Sequence, residues 1–235
     1  MDFRLLETFR ELFDGKRYLH RRSNLGDSVA REFYEDLYAL GRSPKLVQRV
    51  EQGIAVLNTQ NRRVGVSARR GDGSFGEGVP GASITRDGAH RVSLGPIATL
   101  EVGLEVKILF KAMIKQIDRV INDLSKQADH FRVKGSDPIC VGLVGINFAE
   151  RCTSYEGERP FSTDGKRYKH PIQEAHQAEE RLLTRAARSF DEFLILKFEA
   201  SNEEPYEFHW RDRKTTDLNY GAILARVSQI YERRF

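Results

Sequence analysis

Cysteine, tryptophan, methionine and long apolar runs are all scarce in this chain of 235 residues, and each scarcity removes a class of protein. Only two cysteines are present, Cys140 inside an apolar run and Cys152 beyond it. Two thiols at that spacing make neither a zinc centre nor a disulfide framework, so a reducing compartment is expected. No stretch approaches the ~18 apolar residues of a membrane span. Residues 1–13 read as a short amphipathic helix, with Phe3, Leu6, Phe9, Leu12 and Phe13 set among charges, and not as a secretory leader. A cytoplasmic protein that stays off the membrane is the expectation. Internal repeats and low-complexity tails are also missing.

What is present is an ordinary globular composition, 40% apolar and 31% charged, with a net charge of +4. That excess permits a polyanionic partner without requiring one. The basic residues are grouped. Arg62, Arg63, Arg69 and Arg70 run into a glycine-rich stretch; Lys107, Lys111, Lys115 and Arg119 follow an acidic strand; Lys166, Arg167, Lys169 and His170 sit in a later loop. Each group reads equally as a solvated face.

The chain begins with helices. Val29, Phe33, Leu37 and Leu40 recur at helical steps, and Ser43-Pro44 is a cap followed by proline at the first helical position. Residues 63–69 alternate as a strand does, whereas residues 71–81, with five glycines and a proline, predict a mobile surface loop. Asp87-Gly88 predicts a tight turn between short strands at 82–85 and 90–94. A strand is expected over 97–109 and a helix over 111–127, its apolar stripe formed by Met113, Ile114, Ile117, Val120, Ile121 and Leu124. The run 138–148 reads as a strand buried on both faces. Residues 150–170 form a long irregular segment. Pro171 opens a helix, 193–198 is a short strand, 206–210 an edge strand, and Asp217 or Asn219 caps a last helix. The whole predicts one α/β domain with a mixed central sheet flanked by helices: a helical part over 1–60, a core over 64–148 and an elaboration over 149–235.

The informative stretch is 100–109. At a strand's period of two, Leu100, Val102, Leu104, Val106 and Ile108 share one face while Glu101, Gly103, Glu105 and Lys107 share the other. Glu105 and Lys107 then stand ~6 to 7 Å apart along the strand. With a second acid, such a pair binds Mg2+ through oxygen ligands and leaves the amine for the attacking water or the phosphate, as phosphodiester hydrolysis requires. The same pattern also suits a solvated face closed by a cross-strand salt bridge.

Glu105-Val106-Lys107, preceded by a meander and followed by a helix and an apolar strand, resembles the PD-(D/E)XK nuclease superfamily of restriction-endonuclease-like folds over residues 64–148. The resemblance implies Mg2+-dependent hydrolysis of double-stranded DNA, with Glu105 as metal ligand and Lys107 as the catalytic lysine. It further implies a type II restriction enzyme or related defence nuclease. A homodimer is expected, since cutting both strands favours two sites. The family's first acid sits in the preceding strand or the turn before it, often after a proline. No Pro-Asp pair exists here, so Glu101 is assigned that role as a second metal ligand. Glu101 and Glu105 lie ~13 Å apart along a regular strand, so this assignment requires a bulge at Gly103. Asp87 is the alternative, and Glu51 a more distant one. Arg69, Arg70, Lys111, Lys115, Lys166, Arg167 and Lys169 are candidate contacts to nucleic acid. A different outcome is a nucleic-acid-binding protein that keeps this fold without catalysis. An unrelated α/β enzyme with a small-molecule substrate is a third.

Overall fold

A computed structural model of the chain describes residues 2–19, 25–58, 71–111, 113–133, 137–166 and 170–235. The strand expected over 63–69, and with it Arg69, Arg70, Arg167 and Lys169, lies outside the described residues.

Six α-helices and eight strands are described: α1 (Arg4–Glu11), α2 (Leu25–Leu40), α3 (Pro44–Glu51), β1 (Ala55–Leu57), β2 (Gly73–Glu77), β3 (Val102–Leu109), α4 (Met113–Phe131), β4 (Ile139–Asn147), β5 (Cys152–Ser154), β6 (Phe161–Thr163), α5 (Pro171–Arg181), β7 (Glu192–Ala200), β8 (Phe208–Trp210) and α6 (Arg213–Arg234). Six of the strands form one mixed sheet in the order β1-β2-β3-β4-β7-β8. β1, β2 and β3 are an antiparallel meander; β3, β4 and β7 are parallel; β8 returns antiparallel at the far edge. β5 and β6 pair as a separate hairpin inside the segment read as irregular.

Parallel neighbours need crossovers, and α4 and α5 supply them. β4 is buried along its whole length. Its alternate residues enter two cores: Ile139, Val141 and Leu143 join residues of α1, α2 and α6, while Cys140, Val144 and Ile146 join α4 and α5. Helices thus cover both faces of the sheet, which is why this strand carries no polar alternation. The expected α/β fold class, a mixed sheet flanked by helices, is what the chain forms. Among the described residues no helix is long and apolar enough to cross a membrane.

Several boundaries match the local chemistry. Ser43 accepts a hydrogen bond from the Leu46 amide at 3.1 Å with Pro44 behind it, and His170 Nδ1 accepts from the Ile172 amide at 3.3 Å ahead of Pro171. α4 buries Met113, Ile117, Ile121, Leu124 and Phe131 on one stripe. The expected hairpin reduces to one antiparallel bridge between Thr85 and Leu94. α6 starts earlier than expected, because Asp212 and not Asp217 caps it, accepting from the Thr215 amide at 2.9 Å. Asp217 instead bonds Arg213 within the first turn.

The main correction concerns the glycine-rich stretch, where a mobile loop was expected over 71–81. Residues 73–77 are instead β2, an interior strand of the sheet with four buried residues. Its glycines answer close packing. A Cβ on Gly73 would lie 2.9 Å from Ala30 Cβ of α2, and one on Gly76 only 2.1 Å from the Thr99 carbonyl oxygen.

Candidate active site

β3 is positioned by its apolar face: Val102, Leu104 and Val106 are buried in the core beneath α2 and α6. Gly103 and Glu105 therefore face α4. A Cβ on Gly103 would meet the Phe131 ring of α4 at 2.6 Å. Glycine at 103 lets that helix settle on the sheet. The strand is regular there, with Gly103 paired to Ser74 on one side and Cys140 on the other, so the expected bulge at Gly103 is absent.

Glu101 consequently does not join Glu105. It precedes β3, and alternation fails around it: Leu100 enters the core under α4, while the Glu101 carboxylate bonds Tyr231 of α6 and Arg49 of α3 on the other face. Burial pushes the Glu101 carboxyl up, and its two partners oppose that shift. Glu101 is a structural clamp across three elements, and its expected role as metal ligand is corrected on that ground. Asp87 is also elsewhere, held by Arg31 at 2.5 Å and His90 at 2.6 Å, and Glu51 accepts from the Tyr38 hydroxyl at 3.2 Å.

The acid beside Glu105 is Asp72. β2 and β3 pair as far as Gly73 opposite Leu104, and Asp72 stands one residue beyond, level with Glu105. There its Oδ2 accepts from the Val106 amide at 2.8 Å, so a side-chain carboxylate meets the backbone of β3. Gly71, at φ +67, turns the chain into this position. Nothing in the local sequence marked Asp72 except an acid set before a Ser-Phe step among glycines.

Glu105 is 6% exposed. Burial, with the Asp72 charge second, pushes its carboxyl up to about 7, although Lys107 opposes both. Lys107 Nζ pairs directly with Glu105 Oε1. Burial pulls the Lys107 ammonium down, but the carboxylates of Glu105 and Asp72 outweigh it and hold the group charged above its ordinary value. Glu105 Oε2 is buried with no hydrogen-bond partner among the described residues. An orphaned carboxylate oxygen beside a second carboxylate is a poor arrangement for the protein alone and a good one for a hard cation. Among the described residues no group of three or more His, Cys, Asp or Glu side chains is set to hold a metal. Two carboxylates still suffice for Mg2+, which keeps several waters and takes the rest of its oxygens from substrate phosphate.

Of the candidate contacts, Lys111 lies two residues past the end of β3, its Nζ 6.0 Å from the centre of the Phe161 ring in the β5–β6 hairpin. Lys115 is exposed on the first turn of α4, and Lys166 is exposed 3.8 Å from Asp164. Cys140 and Cys152 are free and buried, and burial pushes both thiols up to about 12, away from the reactive thiolate form. Comparison with protein-family models, curated proteins and solved structures finds no match to this chain.

Proposed function

We propose that the chain is a Mg2+-dependent endonuclease that hydrolyses phosphodiester bonds of double-stranded DNA, built on a restriction-endonuclease-like core of the PD-(D/E)XK type. The observation that carries this reading is the meeting of Asp72, just before β2, with Glu105 and Lys107 of the antiparallel neighbour β3. Asp72 occupies the turn before the preceding strand, where that superfamily sets its first acid, and β3 runs into α4 and the parallel β4 as the resemblance implies.

Asp72 and Glu105 would hold the ion. Held by these two carboxylates, the ion would supply Lewis acidity to the scissile phosphate and to water. The protein's own part is electrostatic. Lys107, kept protonated by the two carboxylates, presents an ammonium to the phosphate oxygens on which negative charge grows as water adds and the P–O bond breaks. In this reading Lys111, Lys115 and Lys166 contact DNA phosphates. A type II restriction enzyme or related defence nuclease is the matching class.

The direct Glu105–Lys107 ion pair favours one competitor, a DNA-binding protein that keeps the constellation as a structural network. Incubation of supercoiled plasmid with Mg2+ and wild type, Asp72→Asn, Glu105→Ala or Lys107→Ala separates the two. Cleavage by wild type alone is expected; binding of DNA without cleavage by any of the four proteins replaces the nuclease with its binding-only competitor.

A further inference from the structure

Helix α2 begins against the candidate site. A Cβ built on Gly26, in its first turn, would stand 2.6 Å from both Cγ and Oδ1 of Asp72 and 3.0 Å from Oδ2. Real Cβ contacts essentially never come that close, so the two groups fit only because residue 26 has no side chain. Its backbone does not require glycine: Gly26 lies in a regular helical turn, unlike Gly71 with its φ of +67. The reason for glycine here is therefore the neighbour and not the helix. That neighbour is tied on its other side, since Oδ2 accepts the Val106 amide at 2.8 Å. The Asp72 carboxylate is thus held between the first turn of α2 and the backbone of β3, next to Glu105.

We propose that Gly26 is a positioning residue for the Asp72 carboxylate: by withholding a side chain it lets the first turn of α2 set where that carboxylate stands relative to Glu105, and so how the pair takes a divalent cation. This role rests on the nuclease reading of the Asp72–Glu105–Lys107 site. Any larger residue at 26 must displace the end of the Asp72 side chain, the softest of the atoms in contact. Helix α2 itself gains from the change, because alanine has fewer unfolded conformations to lose than glycine. The helical gain offsets any weakening of the bond from the Val106 amide to the displaced Asp72 carboxylate, so one methyl group lowers metal binding without lowering stability, which a role in folding alone does not do.

The test uses the full chain as wild type, Gly26→Ala and Asp72→Asn, with three measurements: thermal melting without metal, Mn2+ binding by calorimetry without DNA, and plasmid cleavage against Mg2+ concentration. Gly26→Ala is expected to melt at or above the wild-type temperature while losing Mn2+ affinity by about 10- to 100-fold, the range for residues that orient metal ligands. Its cleavage recovers toward the wild-type rate at high Mg2+, because the ligands are displaced and not removed. Asp72→Asn is expected to bind no Mn2+ and not to cut at any Mg2+ concentration. Wild-type metal affinity in Gly26→Ala, with Asp72→Asn inactive, overturns the role of Gly26 and leaves the nuclease reading standing. A lower melting temperature with metal affinity reduced only by the unfolded fraction also overturns it, since Gly26 then serves the fold. Failure of wild type to bind Mn2+ or to cut overturns the nuclease reading and the role of Gly26 together.

Discussion

At the scale of single residues, the site is an electrostatic compromise: a buried carboxyl beside a second acid, offset only in part by Lys107. Glu105 has an ordinary carboxyl pKa of 4.5 in the unfolded chain and about 7 in the fold, raised by burial first and by the Asp72 charge second. An acid whose folded pKa lies above its unfolded one holds its proton more tightly when folded. Its contribution to stability is therefore full below pH 4.5, is lost as pH rises from 4.5 to about 7, and stays lost above that. Without divalent metal, the wild-type melting temperature is expected to fall across this window relative to Glu105→Gln, which carries no charge to bury. Mg2+ added at pH 8 should raise the wild-type melting temperature and leave the variant unmoved, since only a site able to bind the ion gains from it. Fluorimetric melts over a pH series check both. Glu105 and Lys107 were legible in the sequence because a spacing of two places side chains on one face of any strand. Asp72 was not, because its proximity to Glu105 is a fact of strand pairing, and pairing partners leave no local periodicity.

At the scale of elements, two expectations fail where packing between segments decides the outcome, which a single segment does not show. Glycines in series signal a loop when only local freedom is considered, yet Gly73 and Gly76 sit in β2 because α2 and the segment before β3 come too near for a side chain. Gly76→Ala is expected to destabilise the protein by about 1–3 kcal/mol, the usual cost of overpacking, because the Cβ would oppose the backbone carbonyl of Thr99 and not a side chain that can swing aside. Urea unfolding measures this directly. Glu101 was likewise misplaced by extending the period of β3 one residue too far. It ties α3 and α6 to the sheet through Arg49 and Tyr231. Glu101→Ala strands a buried hydroxyl and a half-buried guanidinium, and a loss of about 2–4 kcal/mol is expected. The specific cleavage activity of the folded fraction should survive. Its loss, with wild-type stability retained, would instead restore Glu101 to the active site. Elements that depend on local chemistry, namely the capped starts of α3 and α5, the stripe of α4 and the doubly buried β4, were readable in advance.

At the scale of the whole molecule, one chain offers one Asp72–Glu105–Lys107 site and a net charge of only +4, so on the proposed nuclease reading overall charge would contribute little to DNA capture. On that reading, affinity for DNA would come from local basic groups, and the described ones nearest the site in the chain are Lys111, just past the end of β3, and Lys115, at the start of α4. Each phosphate contact releases counterions, so replacing one such lysine by alanine should lower the slope of log affinity against log salt by about 1 and weaken all DNA sequences alike. A salt series of filter-binding or anisotropy measurements tests this. Cleavage products report on assembly. A single site breaks one strand per encounter, whereas two sites related by a two-fold axis can break both strands of the antiparallel duplex. If the working unit is a homodimer, plasmid should pass to the linear form with little nicked intermediate at high protein concentration. On dilution toward the monomer, nicked circles should accumulate, and sedimentation velocity at the same concentrations should show the dimer dissociating over that range. Nicked circles dominating at every concentration, with the protein sedimenting as a monomer, would leave the site as a single-strand nickase and the expected dimer without support.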